Sequence, residues 1–248
     1  TLEVEQKVSC IVDRERRDAI SRAHSATHLL QAALQTVLGD HVHQAGSLNT
    51  PDHLRFDFTH FSAITEEEIK AITEYVNDAI LEGLPITTKV MGIDEAKKEG
   101  AMALFGEKYG DTVRVVSMGD ISKELCGGTH LTNTAKIGSF TIVSEGSVAS
   151  GVRRIEAMVG KETLRLAAAN TFQLRKAAAA MKTTPQDLLT HLEQVIKEGK
   201  ELRQQLDQMQ SKLLASDAER FLYAAKKVEG LNVITTTLSS MSAGALRK

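Results

Sequence analysis

Two short runs in this sequence combine residue types that bind metal ions. His24-Ser25-Ala26-Thr27-His28 sets two imidazoles at i and i+4. In a helix those positions share one face, so both rings reach one point, which is half of a zinc site. Cys126-Gly127-Gly128-Thr129-His130 adds a thiol and a third imidazole across a glycine pair that reads as a tight turn. Together the runs offer three His and one Cys, a tetrahedral donor set for one zinc ion per chain. Either run alone is a common coincidence. The pair uses three of the 8 His and one of the 2 Cys, which makes coincidence a poor account. His41, His43, His53, His60 and His191 read as solvent-facing or packing residues, and Cys10 as a small buried one. Ser25 excludes one enzyme class, because a metallopeptidase of the HExxH type needs a Glu there as general base.

Elements able to position these runs follow from apolar spacing. Asp13 to Leu38 repeats apolar residues at three- and four-residue intervals and is bounded by Gly39, which predicts a long helix carrying His24 and His28. Val4 to Val12 reads as a short strand or a linker. Val42 to Leu48 and Leu54 to Phe58 read as strands around the turn Asn49-Thr50-Pro51-Asp52. Thr65 and Glu68 form a capping box for a helix that ends at Gly83. Further strands are expected at Ile86–Gly92, Val113–Met118, Gly138–Ser144 and Val152–Val159, with a short helix at Ile93–Glu99. This order predicts an α+β domain over residues 1–160.

The character changes after Gly160. Residues 161–228 hold one Pro, Pro185, and one Gly, Gly199. Leu188, Leu192, Val195, Gly199, Leu202, Leu206, Met209 and Leu213 step by 4, 3, 4, 3, 4, 3 and 4, an a/d register. A helical hairpin or coiled coil and a simple amphipathic helix both fit, and the stripe is a hint of oligomerisation with a second copy. Leu231 to Thr237 reads as a strand without a following partner. Residues 229–248 are therefore expected to start a further domain, and the opening Thr1-Leu2-Glu3 to belong to a piece of a longer protein.

Composition narrows the class. With 30 Lys and Arg against 32 Asp and Glu, the net charge of −2 excludes a polycation that coats nucleic acid, though not a local basic patch. Two Cys make no disulfide framework, so a reducing cytoplasmic compartment is the expectation. No apolar run approaches the roughly 18 residues of a membrane span.

Several motifs, in order along the chain, resemble the editing domain of alanyl-tRNA synthetases. They are His24-Ser25-Ala26-Thr27-His28-Leu29-Leu30, Gln44-Ala45-Gly46-Ser47-Leu48, Arg55-Phe56-Asp57-Phe58, the run from Ala101 to Gly110, Cys126-Gly127-Gly128-Thr129-His130 and Gly151-Val152-Arg153-Arg154-Ile155-Glu156. Related domains occur in freestanding alanyl-editing proteins and beside the catalytic core of threonyl enzymes. The resemblance covers about residues 1–160 and implies a fold of the threonyl/alanyl second-domain type, followed by the linker helix of such a synthetase. It implies hydrolysis of tRNA(Ala) wrongly charged with serine or glycine. An activation pocket for alanine does not exclude the smaller glycine and rejects an added hydroxyl only by factors of about a hundred, so a second, hydrolytic site is needed.

The resemblance assigns zinc to His24, His28, Cys126 and His130. Four protein ligands ordinarily close the shell, so two uses of the metal stay open, activation of water and orientation of the aminoacyl end of the tRNA. The second is preferred, because neither motif contains a Glu of general-base type. The resemblance places Gln44 in the pocket, where its amide can hold a water against the ester carbonyl. Ser47 and Thr27 are candidate partners for a serine hydroxyl, and Gly127, Gly128 and Thr129 for backbone N–H contacts to the carbonyl oxygen. Asp57 is a candidate partner of a zinc-bound His. Arg153 and Arg154 follow a flexible loop and suit tRNA phosphates, Arg153 being preferred. Arg14, Arg16, Arg17 and Arg22, interspersed with Asp13, Glu15 and Asp18, read as a solvated helix face. The alternative reading is a zinc-stabilised tRNA-binding and oligomerisation module without catalysis of its own.

Overall fold

The computed structural model describes residues 6–102, 110–223 and 225–235. Most of the run from Ala101 to Gly110 and the tail from residue 236 lie outside the described residues. The chain divides into two compact units between Thr171 and Phe172.

The first unit is built around α1 (Arg14–Leu38). Asp13 caps it by accepting the Arg16 N–H at 3.0 Å, and Gly39 ends it at φ 112°. Ala23, Ala26, Leu29, Leu30, Ala33 and Leu34 are fully buried, and the three alanines let neighbouring elements approach closely. α2 (Glu66–Glu82) packs against α1; its capping box is present, with Glu68 N–H on Thr65 Oγ1 at 3.2 Å and Thr65 N–H on Glu68 Oε2 at 2.8 Å. The expected strands appear as β1 (Gln44–Asn49), β2 (Leu54–Thr59), β3 (Ile86–Gly92), β4 (Thr112–Met118), β6 (Phe140–Ala149) and β7 (Val152–Val159), with α3 at Ile93–Lys98.

Two antiparallel sheets result. One has the order β1-β2-β7-β6 and sends Phe56, Phe58, Phe140 and Ile155 into the core against α1 and α2. The other has the order β3-β4-β5, where β5 (Ser122–Leu125) is a strand that sequence reading missed. Its residues, Ser-Lys-Glu-Leu, have a polar look, yet Ser122 and Glu124 are buried. This β5 runs straight into Cys126 and so delivers the second metal-binding run to α1. Residues 6–13 form no strand and take the linker form. Cys10 is exposed there, which corrects the expectation of a buried thiol: among the described residues no second element crosses the segment to cover it.

α4 (Lys161–Ala180) begins in the first unit, where Lys161 Nζ meets Glu15 Oε1 at 2.9 Å and Thr163 is buried. The second unit continues with α5 (Leu188–Tyr223). The helical stretch ends at Tyr223, and residues 226–228, expected in the helix, are strand β8. It pairs with β9 (Leu231–Val233), so this strand does have a partner, and a preceding one. The reason is the Glu229-Gly230 turn, with φ of 49° and 85°, a doubly left-handed connection that suits a tight hairpin. Among the described residues no helix is long and apolar enough to cross a membrane.

Candidate metal centre

His24 and His28 stand one turn apart on α1, and the turn after β5 brings Cys126 and His130 to them. One ligand atom from each of the four lies within 4.8 Å of all the others. Cys126 Sγ is 3.3 Å from His130 Nε2 and 3.5 Å from His24 Nε2. A tetrahedral zinc with bonds of about 2.0–2.3 Å has ligand-to-ligand edges of roughly 3.3–3.8 Å, so these separations fit such an ion. Burial is the main cause that holds all three imidazoles neutral. It lowers His28 to about 3 and His130 to about 2, and it lowers His24 against the opposing effect of a hydrogen bond to the Thr129 backbone. Neutral rings keep a lone pair for a metal. The Cys126 thiol is pushed up by burial, and a bound cation is what would draw its proton off.

The neighbours of the four donors set their orientation. Ser25, fully buried, accepts the Leu131 N–H at 3.2 Å, and its Oγ lies 3.2 Å from His130 Nδ1. A proton on Nδ1 then leaves the Nε2 lone pair facing Cys126. His28 Nδ1 stands 3.2 Å from Glu124 Oε2, with the two residues 3% and 2% exposed. The contact is close but off the line of a ring N–H bond, so both atoms lack a well-formed hydrogen bond. Burial pushes the Glu124 carboxyl up to about 7, opposed by the Ser122 hydroxyl at 2.7 Å. A cation on His28 would favour the Glu124 carboxylate and an Nδ1–H directed at it, the usual carboxylate–histidine support of a metal ligand. Arg114 of β4 donates through Nη1 to the carbonyls of Cys126 and Gly128, both at 2.7 Å, and so clamps the turn.

Glycine is required in that turn at one position. A Cβ on Gly128 would fall 2.5 Å from His24 Nδ1 and closer still to Cε1, whereas one on Gly127 would meet nothing within 4 Å. Neither glycine needs a left-handed backbone. Close approach of the His24 ring, rather than a tight-turn conformation, selects Gly128.

The other predicted site residues divide. Gln44 Nε2 donates to Ser47 Oγ at 3.2 Å, which brings two of them together at the start of β1. Thr27 is buried, and its hydroxyl lies 2.9 Å from the Ala23 carbonyl and 2.8 Å from Asn49 Oδ1. Thr129 lies in the turn beside His24, and the Gly128 N–H points at the Cys126 sulfur at 3.4 Å. Asp57 does not support a histidine: both its oxygens accept from Arg154 at 2.7 Å, because register pairs the two residues on the sheet face away from the core. Arg153 is held by Glu145 in a bidentate pair, with Nη2 to Oε2 at 2.8 Å. His41 and His60, read as separate, meet at 2.9 Å between Nε2 and Nδ1, away from the four donors. Sequence reading missed Glu124, Ser25 and Arg114. Only a charged residue inside the short run Ser122–Leu125 could have signalled the first.

Residues 113–156 match the threonyl and alanyl tRNA synthetase second additional domain. The alanine-tRNA ligase of Acetivibrio thermocellus is 49% identical over 247 residues, 100% of this chain and 28% of that protein. That of Clostridioides difficile is 49% identical over 242 residues, 98% and 28% of the two chains, and that of Desulfitobacterium hafniense 48% identical over 241 residues, 97% and 28%. The chain belongs with one segment of the alanyl-tRNA synthetases. It spans just over a quarter of the length of these relatives, 28% in each case. The matched residues 113–156 include Glu124, Cys126 and His130, so the turn and its carboxylate support lie within the shared domain, while α1 supplies the rest of the donor set from outside it.

Proposed function

We propose that this chain is the hydrolytic editing unit of an alanyl-tRNA synthetase, acting in the cytoplasm on tRNA(Ala) that carries serine or glycine. The observation that carries this reading is the single cluster of His24, His28, Cys126 and His130, reached from a cleft that His130 lines, in a chain related throughout to alanine-tRNA ligases. The donor set suits zinc, one ion per chain. When bound, zinc supplies a fixed positive charge and Lewis acidity at the cluster.

The chain's own groups then hold and orient. Glu124 and Ser25 fix the rings of His28 and His130. Gln44 donates to Ser47 and keeps its carbonyl oxygen as an acceptor for water beside the ester. Thr27 retains acceptor capacity for a serine hydroxyl. The Gly128 N–H is engaged by sulfur, which leaves the N–H groups of Gly127 and Thr129 for the carbonyl oxygen. Water adds to the ester carbon, the amino acid departs as the free acid, and the terminal ribose recovers its hydroxyl proton. Of the two arginines proposed to touch tRNA, Arg154 now takes precedence, since 30% of its side chain is exposed against 13% for Arg153.

The second reading, a zinc-stabilised RNA-binding and oligomerisation module, is favoured by one observation. Four protein donors complete a tetrahedral shell, the pattern of a structural ion. Deacylation of seryl-, glycyl- and alanyl-tRNA(Ala) by the chain separates the two. The editing reading expects release of serine and glycine with alanine retained, and a loss of about 100-fold in rate for Gln44→Ala at unchanged zinc content. Release of none of the three, from zinc-loaded protein that binds tRNA, leaves the second reading standing.

A further inference from the structure

Thr27 follows His24 by three residues and precedes His28 on the buried face of α1. Its hydroxyl has one proton and two oxygens to meet, the Ala23 carbonyl at 2.9 Å and Asn49 Oδ1 at 2.8 Å. A single O–H serves only one of them well. The Ala23 carbonyl lies four residues back in the helix and already accepts the Thr27 backbone N–H. Asn49 Oδ1 has no other donor, and the contact with Thr27 is the one hydrogen bond of the Asn49 side chain among the described residues. The Thr27 proton therefore goes to Asn49.

Asn49 reaches the helix through sheet register. It is the last residue of β1 and pairs with Leu54, while Ser47 pairs with Phe56 and Gln44 with Phe58. Directly paired residues project to the same face of a sheet, and Leu54, Phe56 and Phe58 point into the core with α1. Gln44, Ser47 and Asn49 thus share the face that looks at the helix. The two hydroxyls on this line differ. Ser47 accepts from Gln44 Nε2 at 3.2 Å and keeps its own proton to donate. Thr27, its proton committed, keeps two lone pairs and has no donor to offer.

We infer that Asn49 is a positioning residue for serine selectivity: by taking the Thr27 proton it turns that hydroxyl into a pure acceptor for the side-chain hydroxyl of a seryl group. The inference rests on the editing reading for the place of the seryl group beside the zinc ligands. A glycyl or alanyl group has no side-chain donor, so Asn49 adds nothing to its recognition. A site built to pair with a hydroxyl discriminates against a group that lacks one, because a polar atom is then left unpaired.

The test uses the full zinc-loaded chain and two readouts. One is release of serine and of glycine from tRNA(Ala). The other is equilibrium binding of amide-linked seryl and glycyl derivatives of adenosine, which are not hydrolysed. Asn49→Leu, close in volume and without an acceptor, is expected to slow serine release and weaken the seryl derivative about two- to tenfold, with both glycine readouts unchanged. Asn49→Asp keeps the acceptor and is expected to retain the preference for serine. In a Thr27→Val background Asn49→Leu is expected to add nothing, since Asn49 acts through Thr27. Unchanged zinc content and circular dichroism verify the fold of each variant. Equal losses for serine and glycine overturn the inference, as does a loss in Asn49→Asp as large as in Asn49→Leu. Full additivity with Thr27→Val overturns it too, and so does an unaltered chain that binds the two derivatives alike. A seryl preference that Asn49→Leu abolishes, in a chain that releases no amino acid, refutes the editing reading and leaves the role of Asn49. Selective release of serine that is indifferent to Asn49→Leu refutes that role and leaves the editing reading.

Discussion

The helices α1 and α5 both repeat apolar residues at three- and four-residue spacing, yet they end in opposite environments. Leu29, Leu30 and Leu34 of α1 have no exposure, whereas Leu202, Leu206, Met209 and Leu213 of α5 are 63%, 56%, 69% and 68% exposed. Periodicity specifies which face of a helix is apolar; an element packed against that face decides whether it is buried. α1 is met by α2 and by strands of both sheets. It also carries polar groups inward, namely Ser25, Thr27, His28 and Gln31. Burying such groups is costly unless each finds a partner: Ser25 meets His130 and the Leu131 N–H, Thr27 the Ala23 carbonyl and Asn49, and Gln31 the Val42 carbonyl. The stripe of α5 holds no polar side chain, and Gly199 is its one position without an apolar group.

The sharpest way to break this comparison is to truncate one leucine in each helix. Leu30→Ala should cost about 2–5 kcal/mol in denaturant melts of the first unit, and Leu206→Ala within about 0.5 kcal/mol at concentrations where the chain is monomeric. Equal losses would show that α5 is buried after all. Next in size is the contact between the two metal-binding runs. Gly128→Ala should displace His24 and lower zinc affinity at least as far as loss of an orienting neighbour, about 10–100-fold, while Gly127→Ala keeps about one zinc per chain by native mass spectrometry. If both alanines bind zinc alike, the close approach of ring and backbone is not what the turn requires.

Glu124→Gln should weaken zinc by about 10–100-fold without unfolding the chain, which a competitive chelator titration measures. In α5, Gly199→Ala meets open space and should stabilise the helix by about 0.5–1 kcal/mol, seen as a higher helical melting temperature. Sedimentation adds a second reading of the same stripe, since self-association should rise with concentration and fall in L202K/L206K. The smallest effect concerns the outer sheet face. The Arg154 hydrogen bonds hold the Asp57 carboxyl below the usual carboxylate range. Its folded-state pKa is thus below its unfolded value, so the stabilisation is present at neutral pH and is lost as pH falls through the folded value. Asp57→Asn should therefore melt lower than the unaltered chain at pH 7, and the gap should close on acidification below about pH 4.

Much of the fold was legible because strong local signals and tertiary contacts agree. The capping box at Thr65, the alternation of Leu54, Phe56 and Phe58, and the glycine at position 39 each mark an element that the structure contains. Strand β5 was not legible, since its four residues carry no apolar alternation and are strand by pairing with β4 on one side and bridging to Met102 on the other. The β8–β9 hairpin was missed for a related reason: Lys226 and Lys227 look helical, and only the Glu229-Gly230 turn opposes that reading.

The sequence by itself determined the four donors and the helix that presents two of them, because donor chemistry and i, i+4 spacing are local properties. It also determined the family, through motifs spread over the first 160 residues. Only the tertiary structure decided which groups serve those donors. Glu124 stands beside His28, Ser25 beside His130 and Arg114 beneath the turn, and each pair is separated by about a hundred residues or joins different strands. The same holds for charge. Arg14, Arg17 and Lys136 are scattered among acids along the chain, and the folding of α1 against the turn collects them on one wall. Sequence order is one-dimensional, whereas hydrogen bonds and electric fields act through space over a few ångströms, so the supporting partners of a site come into view only when the chain is folded.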